Sequence, residues 1–158
     1  MPRKKTKSLK RNIGVDSLYS SELVAKFINK VMLGGKKRLA ERLVYSALDQ
    51  ASKELKVEPL DLFNQVLDNL YPELEVRSKR IGGANYQVPM EVRLERKVHL
   101  AMIWTINAAR SKSGNAFDQR LAREFVDAYK GVGDAVKKKK DVLAAAEANK
   151  AFAHFARF

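Results

Sequence analysis

One segment of the chain alternates polar and apolar residues on both sides of a glycine pair, and this pattern constrains the fold most. It reads LEVRSKRIGGANYQVPMEVR over residues 74–93. A period of two is typical of β-strands, because successive side chains point to opposite faces. Gly82 and Gly83 accept positive φ at little cost, which predicts a turn over residues 82–85, and Pro89 is tolerated only at an edge or a bulge. The sequence therefore predicts a two-stranded β-hairpin arm with exposed edges.

The predicted arm carries more bases than acids. Six bases and two acids lie between residues 77 and 97. An isolated two-stranded ribbon is marginally stable in water, so a polyanion is predicted to hold the arm in place, with an ordinary surface hairpin as the alternative. Tyr86 is the aromatic residue of the arm that is placed to stack on a nucleic-acid base.

Outside the arm, apolar residues recur at intervals of three and four, which is typical of helices. The stripes predict six helices, over residues 23–31, 39–57, 59–71, 98–109, 118–129 and 142–152. Asn115 or Asp118 is predicted to open the fifth helix, and Asp141 to precede the sixth. The fourth, around Trp104, is apolar nearly all round, so we expect it at the centre. The predicted fold is mainly α, a single-domain bundle of about six helices with an inserted two-stranded β-hairpin arm and a basic N-terminal tail.

Charge indicates the kind of partner. Lys and Arg number 31 against 18 Asp and Glu, a net charge of +13 in 158 residues, and such an excess favours a polyanion. Six bases precede the first acid, so residues 1–12 are predicted to be a tail that orders on nucleic acid, and residues 13–158 the bundle domain. Residues 49–75 are the exception, with seven acids and two bases.

The residue pattern does not favour an enzyme. There is no cysteine, and the two histidines lack a metal-ligand spacing, so no cofactor or metal is expected. The run Gly34-Gly35-Lys36-Lys37 lacks the earlier glycine and the hydroxyl residue of a phosphate-binding loop. No apolar stretch approaches the length of a membrane span, and the first residues lack the apolar region of a secretory signal, so a cytoplasmic location is expected.

Three classes of binding protein agree with a basic chain of this kind. They are an RNA-binding structural protein, a DNA-binding architectural protein with a basic β-ribbon, and a membrane-surface module. A membrane module needs a helix with an apolar face open to lipid, whereas these stripes are predicted to face a core. The cations are dispersed over several elements, which suits the irregular surface of a folded RNA better than a single DNA groove.

Three motifs resemble the ribosomal protein seven family of the small ribosomal subunit, of bacterial type. They are GGANYQVPMEVR in the arm, SSELVAKFINKVMLGGKKRLAERLVYSAL near the start and AEANKAFAH near the end. The resemblance runs in order from about Pro2 to Phe158. Where the family pattern has a proline two residues past Val92, this chain has Leu94.

The resemblance implies a structural constituent of the small subunit that binds the three-prime major domain of its ribosomal RNA and nucleates assembly of the subunit head. It also implies a position near the exit site, in contact with transfer RNA and messenger RNA and beside small-subunit proteins nine and eleven, with no homo-oligomer. Carried over by position, the expected ribosomal RNA contacts are Arg3, Lys4, Lys5, Lys10, Arg11, Lys36, Lys37, Arg38, Arg77, Lys79, Arg93, Arg96, Lys97, Arg110 and Lys112. The residues expected near transfer RNA and messenger RNA are Arg80, Gly82, Gly83, Asn85 and Tyr86.

Overall fold

The computed structural model describes residues 13–157 as helices with one inserted ribbon. In chain order the elements are α1 (Glu22–Val31), α2 (Lys37–Leu55), α3 (Pro59–Leu70), β1 (Leu74–Ile81), β2 (Ala84–Glu91), α4 (Leu94–Ser111), α5 (Phe117–Tyr129), α6 (Asp134–Ala148) and a C-terminal 3-10 helix (Lys150–Arg157). The predicted mainly α fold with an inserted hairpin is confirmed. None of the helices within residues 13–157 is long and apolar enough to cross a membrane.

Side-chain chemistry fixes several helix ends. The hydroxyl of Ser21 accepts a hydrogen bond from the N–H of Val24, 3.4 Å away, and caps α1. Pro59 is the first residue of α3, where its missing N–H costs nothing. At the end of α2, Lys56 adopts a left-handed conformation with φ of 57°, and Ser52 donates to the carbonyl of Val57 at 2.6 Å.

The turn before α1 is organised by one carboxylate. Asp16 is 7% exposed and accepts hydrogen bonds from the N–H groups of Leu18, Tyr19 and Ser21 at 2.8 to 3.1 Å, and from the hydroxyl of Tyr45 at 3.2 Å. Burial alone would raise the pKa of Asp16, but these donors favour the ionised form more strongly and lower the pKa below its usual range. The carboxylate therefore ties the segment before α1 to α2.

Helix boundaries differ from the prediction at α4, α5 and α6, and α4 begins at Leu94, four residues before the predicted start at residue 98. Neither Asn115 nor Asp118 caps α5, because Ala116 is the N-cap residue; Asp118 lies in the first turn and accepts a hydrogen bond from Ser46 of α2 at 2.8 Å. α6 begins at Asp134, well before Asp141, and ends at Ala148. The predicted end of the sixth helix at residue 152 is therefore wrong, and that part of the chain forms the separate 3-10 helix.

The core lies where α1, α3 and α5 meet. Phe27, Phe63 and Phe125 are fully buried, with ring centroids 5.4 to 6.2 Å apart. α5 packs against α2, α3 and α4. Most faces of α4 are buried, and Trp104 is 8% exposed, so the prediction of a central fourth helix is confirmed. This packed core is a rigid base for the ribbon and for the helix ends that carry cations.

Candidate nucleic-acid interface

Three consecutive cations lie at the start of α2. Lys36 is the N-cap residue, and Lys37 and Arg38 belong to the first turn, because α2 begins two residues before the predicted start at residue 39. All three are exposed, the first turn contains no acidic residue, and Glu41 in the next turn lies 3.8 Å from Nζ of Lys37. Because the N-terminus of a helix carries a partial positive charge, cations there repel the helix unless an anion is present. The arrangement is suited to a phosphate group.

A buried carboxylate joins the base of the ribbon to α4. Glu75, with 9% of its side chain exposed, accepts from Nε of Arg77 at 2.6 Å and from Nε of Arg96 at 3.1 Å. Burial alone would raise the pKa of Glu75, but the two guanidinium groups lower it below its usual range. Glu75 is therefore buried, although it is one of the polar residues of the alternating pattern. Arg77 and Arg96 nevertheless keep 55% and 46% of their side chains exposed, so each can still meet an anion.

The tip of the ribbon is a two-residue turn. Gly82 and Gly83 have φ values of 56° and 91°, and Ile81 pairs directly with Ala84. Two successive positive φ values match the twist of a hairpin, and glycine adopts them without strain. The turn is shorter than the predicted residues 82–85, because Ala84 and Asn85 already belong to β2. Arg80 and Asn85 are exposed beside it.

Tyr86 lies against the C-terminal 3-10 helix. Its ring centroid is 5.2 Å from that of Phe152 and 5.4 Å from that of Phe155. Lys79, its cross-strand partner, donates from Nζ to the carbonyl of Phe155 at 3.0 Å. The sequence placed Tyr86 at the tip with its ring free to stack on a base, whereas the ring is half-buried and two phenylalanines occupy part of its surface.

Further cations lie at the two ends of α4. Arg93 is the N-cap residue, and Arg96 and Lys97 follow in the first turns. Arg110, in the last turn, donates from Nη2 to the carbonyl of Val31 at 3.1 Å and so ties α4 to the end of α1. Arg93, Arg96 and Arg110 are exposed. The start of α4 therefore continues the basic surface from the ribbon.

Lys112 has an internal role that the sequence did not indicate. Its Nζ lies 2.7 Å from Glu124, a fully buried carboxylate, and within 3.7 and 3.8 Å of Asp127 and Asp134. The other oxygen of Glu124 accepts from the N–H of Ala135 at 2.9 Å. Burial alone would lower the pKa of Lys112, but the hydrogen bond and charge of Glu124 raise it above its usual range. The contact of Lys112 with RNA stays a prediction, and three carboxylates surround its ammonium group in the free protein.

Exposed lysines on α6 were not among the predicted site residues. Lys137, Lys138 and Lys140 are exposed, whereas Lys139 donates to the carbonyl of Asn69 at 2.7 Å. The sequence shows the run, but the late predicted start of the sixth helix left it outside any element. Its position on a helix adds a second cationic surface to the one at α2.

The remaining predicted contacts, Arg3, Lys4, Lys5, Lys10 and Arg11, lie outside the described residues. Within residues 13–157, no group of three or more His, Asp or Glu side chains is arranged to hold a metal ion. Among the predicted contacts that are described, the structure brings Arg77 and Arg96 together at Glu75. It leaves Lys36, Lys37 and Arg38 as a separate group at α2.

Comparison with known proteins gives consistent results over nearly the whole chain. Residues 2–150 match the sequence model of the family described as Ribosomal protein S7p/S5e. Proteins named small ribosomal subunit protein uS7 are similar throughout. The one from Chloroflexus aggregans is 53% identical over 148 residues, covering 94% of both chains. The one from Herpetosiphon aurantiacus is 50% identical over 158 residues, covering all of both chains, and the one from Chromohalobacter salexigens is 50% identical over 155 residues, covering 98% and 99%.

Proposed function

Because the chain belongs to the ribosomal protein S7p/S5e family, and is thus a structural, non-enzymatic protein of the small ribosomal subunit, we propose that it binds the three-prime major domain of the small-subunit ribosomal RNA directly. In the cytoplasmic ribosome this binding nucleates assembly of the subunit head. The mechanism is charge neutralisation and shape fitting, since a packed bundle holds cations at fixed positions against the RNA backbone.

The observation that carries the proposal is the cluster at the start of α2. Lys36, Lys37 and Arg38 are exposed at a helix N-terminus that has no acidic residue in its first turn. In the free protein these three charges repel one another and the helix dipole, with Glu41 near Lys37 as a partial counter-charge, and a bound phosphate lowers both costs. Arg77 and Arg96 add a second contact region, because Glu75 fixes both guanidinium groups while leaving about half of each side chain exposed.

The ribbon tip extends the proposal to the exit site. We assign Arg80, Gly82, Gly83 and Asn85 to contacts with transfer RNA and messenger RNA, with small-subunit proteins nine and eleven as neighbours. Support comes from the tip itself, where the turn has no side chains and Arg80 and Asn85 are exposed. A narrow tip of this kind allows the backbone to approach another backbone closely. Tyr86 contributes to base stacking only through the part of its ring that the 3-10 helix leaves open.

Filter binding to a transcript of the three-prime major domain tests the proposal. Affinity should fall steeply with salt, with a slope of log affinity against log salt that corresponds to roughly six or more displaced counterions. The double variant Lys36→Ala with Lys37→Ala should bind more weakly and reduce this slope by about 1 to 2, because two phosphate contacts are lost.

The matched control is Lys53→Ala with Lys130→Ala. It removes the same charge beside the acidic residues 49–75, where Lys53 lies 2.7 Å from Asp49 and Lys130 lies 3.9 Å from Glu54, so the surrounding carboxylates should repel RNA there. We expect the control to retain the slope of the original protein. Equal losses in both double variants would contradict a local site at α2, and equal affinity for duplex DNA would favour the architectural DNA-binding alternative.

A tip variant separates assembly from translation. Arg80→Ala with Asn85→Ala keeps the Gly82-Gly83 turn and the core, so the protein should still enter small subunits in sucrose gradients. Ribosomes that carry it should release exit-site transfer RNA faster, because tip contacts are missing. Failure of these subunits to form would show that the tip acts in head assembly instead.

A further inference from the structure

Lys30 and His99 form a close contact where α1 and α4 lie side by side. Nζ of Lys30 is 2.7 Å from Nδ1 of His99. A lysine ammonium group only donates hydrogen bonds, so Nδ1 accepts and the ring proton resides on Nε2. Both residues are half-buried, and neither belongs to the RNA contacts assigned above.

This contact has an unusual balance of charge. Within residues 13–157 the structure gives Lys30 no ion pair with a carboxylate, whereas Lys26, one turn earlier on α1, lies 2.7 Å from Glu22. Charges near His99 come from Lys30 on α1 and from Arg96 on α4. Glu95 precedes His99 by four residues on α4, and it has an interaction partner of its own. The pair is therefore a local concentration of positive charge.

Burial adds to this imbalance. It lowers the pKa of Lys30 below its usual range. Burial first, and then the charges of Lys30 and Arg96, lower the pKa of His99 as well. Burial disfavours the charged forms of both side chains, and neighbouring positive charges add to this effect at His99, so an anion bound between the two would stabilise both charged forms.

The pair also belongs to the two elements that lead to the basic regions already described. Lys30 is in the last turn of α1, which leads directly into Lys36 and the start of α2. His99 lies one turn beyond Arg96 on α4. A phosphate held at this position would continue the path of an RNA backbone from the one region to the other.

From this geometry we propose that Lys30 and His99 form a further binding site for a backbone phosphate of the ribosomal RNA, and that the bound form carries a proton on both nitrogens of the His99 ring. The inference rests on the proposed RNA-binding function. On binding, Lys30 turns its N–H donors from Nδ1 to a phosphate oxygen, and Nδ1 takes one proton from solvent. His99 then donates a charge-assisted hydrogen bond to the same phosphate.

The site makes RNA affinity and protein stability respond to pH in opposite directions. RNA binding takes up a proton, so affinity should rise as the pH falls below about 7, toward and below the ordinary pKa of histidine. In the free protein the pKa of His99 is lower than in the unfolded chain. Its contribution to stability is therefore present above the unfolded pKa and is lost as the pH falls through the folded pKa.

Calorimetry of the full chain with the three-prime major domain transcript measures the proton directly. Titrations near pH 6.5 in two buffers of different ionisation enthalpy should show uptake of up to about one proton per complex for the original protein. His99→Gln should abolish most of this uptake, and the matched control His154→Gln, at an exposed histidine, should leave it unchanged.

The salt dependence tests Lys30. Lys30→Gln should reduce the slope of log affinity against log salt by about 0.7 to 0.9, the value of one contact, and Lys30→Arg should restore it. Lys26→Gln makes the same charge change on the same helix, and we expect it to keep the slope because Lys26 is paired with Glu22. Circular dichroism of each variant establishes that it is folded.

The outcomes separate this inference from the proposed function. If the original protein does not bind the transcript, the proposed function fails. If it binds with the expected slope, but without proton uptake and without sensitivity to Lys30→Gln, the phosphate site is refuted and the contact only packs α1 against α4.

Discussion

Replacing Gly133 with alanine tests the junction of α5 and α6. Gly133 is the N-cap residue of α6 and has φ of 98° and ψ of 173°, a conformation almost restricted to glycine. Any other residue there costs about 1 to 3 kcal/mol of backbone strain. A Cβ atom would also lie 2.9 Å from Cβ of Asp127 and 3.1 Å from Oε1 of Glu124, so the helices must shift.

That shift reaches the buried ion pair. The same Oε1 atom of Glu124 accepts from the N–H of Ala135, and the other carboxylate oxygen binds Lys112. Weakening these bonds inside the protein costs about 1 to 3 kcal/mol more. Gly133→Ala should therefore lower the free energy of unfolding by about 2 to 6 kcal/mol, and the melting temperature by roughly 5 to 20 °C.

Gly114→Ala is the matched control. Gly114 has φ of 96°, but an added Cβ atom would meet nothing within 4 Å, so only backbone strain applies. Thermal and guanidinium unfolding, followed by circular dichroism, should place the Gly133 variant below the Gly114 variant by about 1 to 3 kcal/mol. Equal stability of the two variants would refute the contact argument and leave backbone strain as the whole effect.

Three further predictions address other parts of the fold. Asp16→Asn should lower the free energy of unfolding at neutral pH by about 1 to 3 kcal/mol. The pKa of Asp16 is lower in the folded protein than in the unfolded chain. Its contribution to stability is therefore present above the unfolded pKa and is lost as the pH falls through the folded pKa. In acid titrations between about pH 5 and pH 2, the variant should lose less stability than the original protein. Leu94→Pro should stabilise the protein by about 0.4 to 1 kcal/mol in urea unfolding. Leu94 is the exposed first residue of α4, a position that accepts proline. Arg93 before it already has the extended φ and ψ (−67°, 151°) that a residue preceding proline adopts. A lower urea midpoint for the Leu94→Pro variant than for the original protein would contradict this assignment of the start of α4. Phe155→Ala should remove one of the rings packed on Tyr86 and make the ribbon more mobile. Spin labels on cysteines introduced in the ribbon and in α5 should then show a broader distribution of distances. An unchanged distribution would show that the 3-10 helix does not hold the ribbon in place.

Apolar spacing predicts much of the bundle because most helices bury one continuous face. The residues of α1, α2, α3 and α5 follow from their stripes to within a few positions. α6 is different, because Ala135 and Val136 are the buried residues before a run of lysines that has no stripe. The 3-10 helix packs mainly on β2, so most of its neighbours are distant in sequence.

The candidate interface was predictable only as a set of cations. Sequence shows that Lys112 and Glu75 are charged, but not that Lys112 pairs with a buried carboxylate or that Glu75 is itself buried against two arginines. Glu124, the partner of Lys112, lies on another helix, and its burial depends on how α4, α5 and α6 meet. The contact of Lys30 with His99 joins residues 69 positions apart, and no local pattern indicates it.

The register of the ribbon limits how its reach can vary. Pairing is continuous from Leu74 with Glu91 to Ile81 with Ala84, across a turn of two residues. Adding one residue to one strand would place every side chain between that point and the tip on the opposite face. Length can therefore change only by two residues in each strand, and each such step moves the turn by about 7 Å. Hairpin arms of this kind should therefore differ in length by steps of two residues per strand. The turn of a relative with a longer or shorter arm should lie about 7 Å, or a multiple of it, from the position of the turn in this chain.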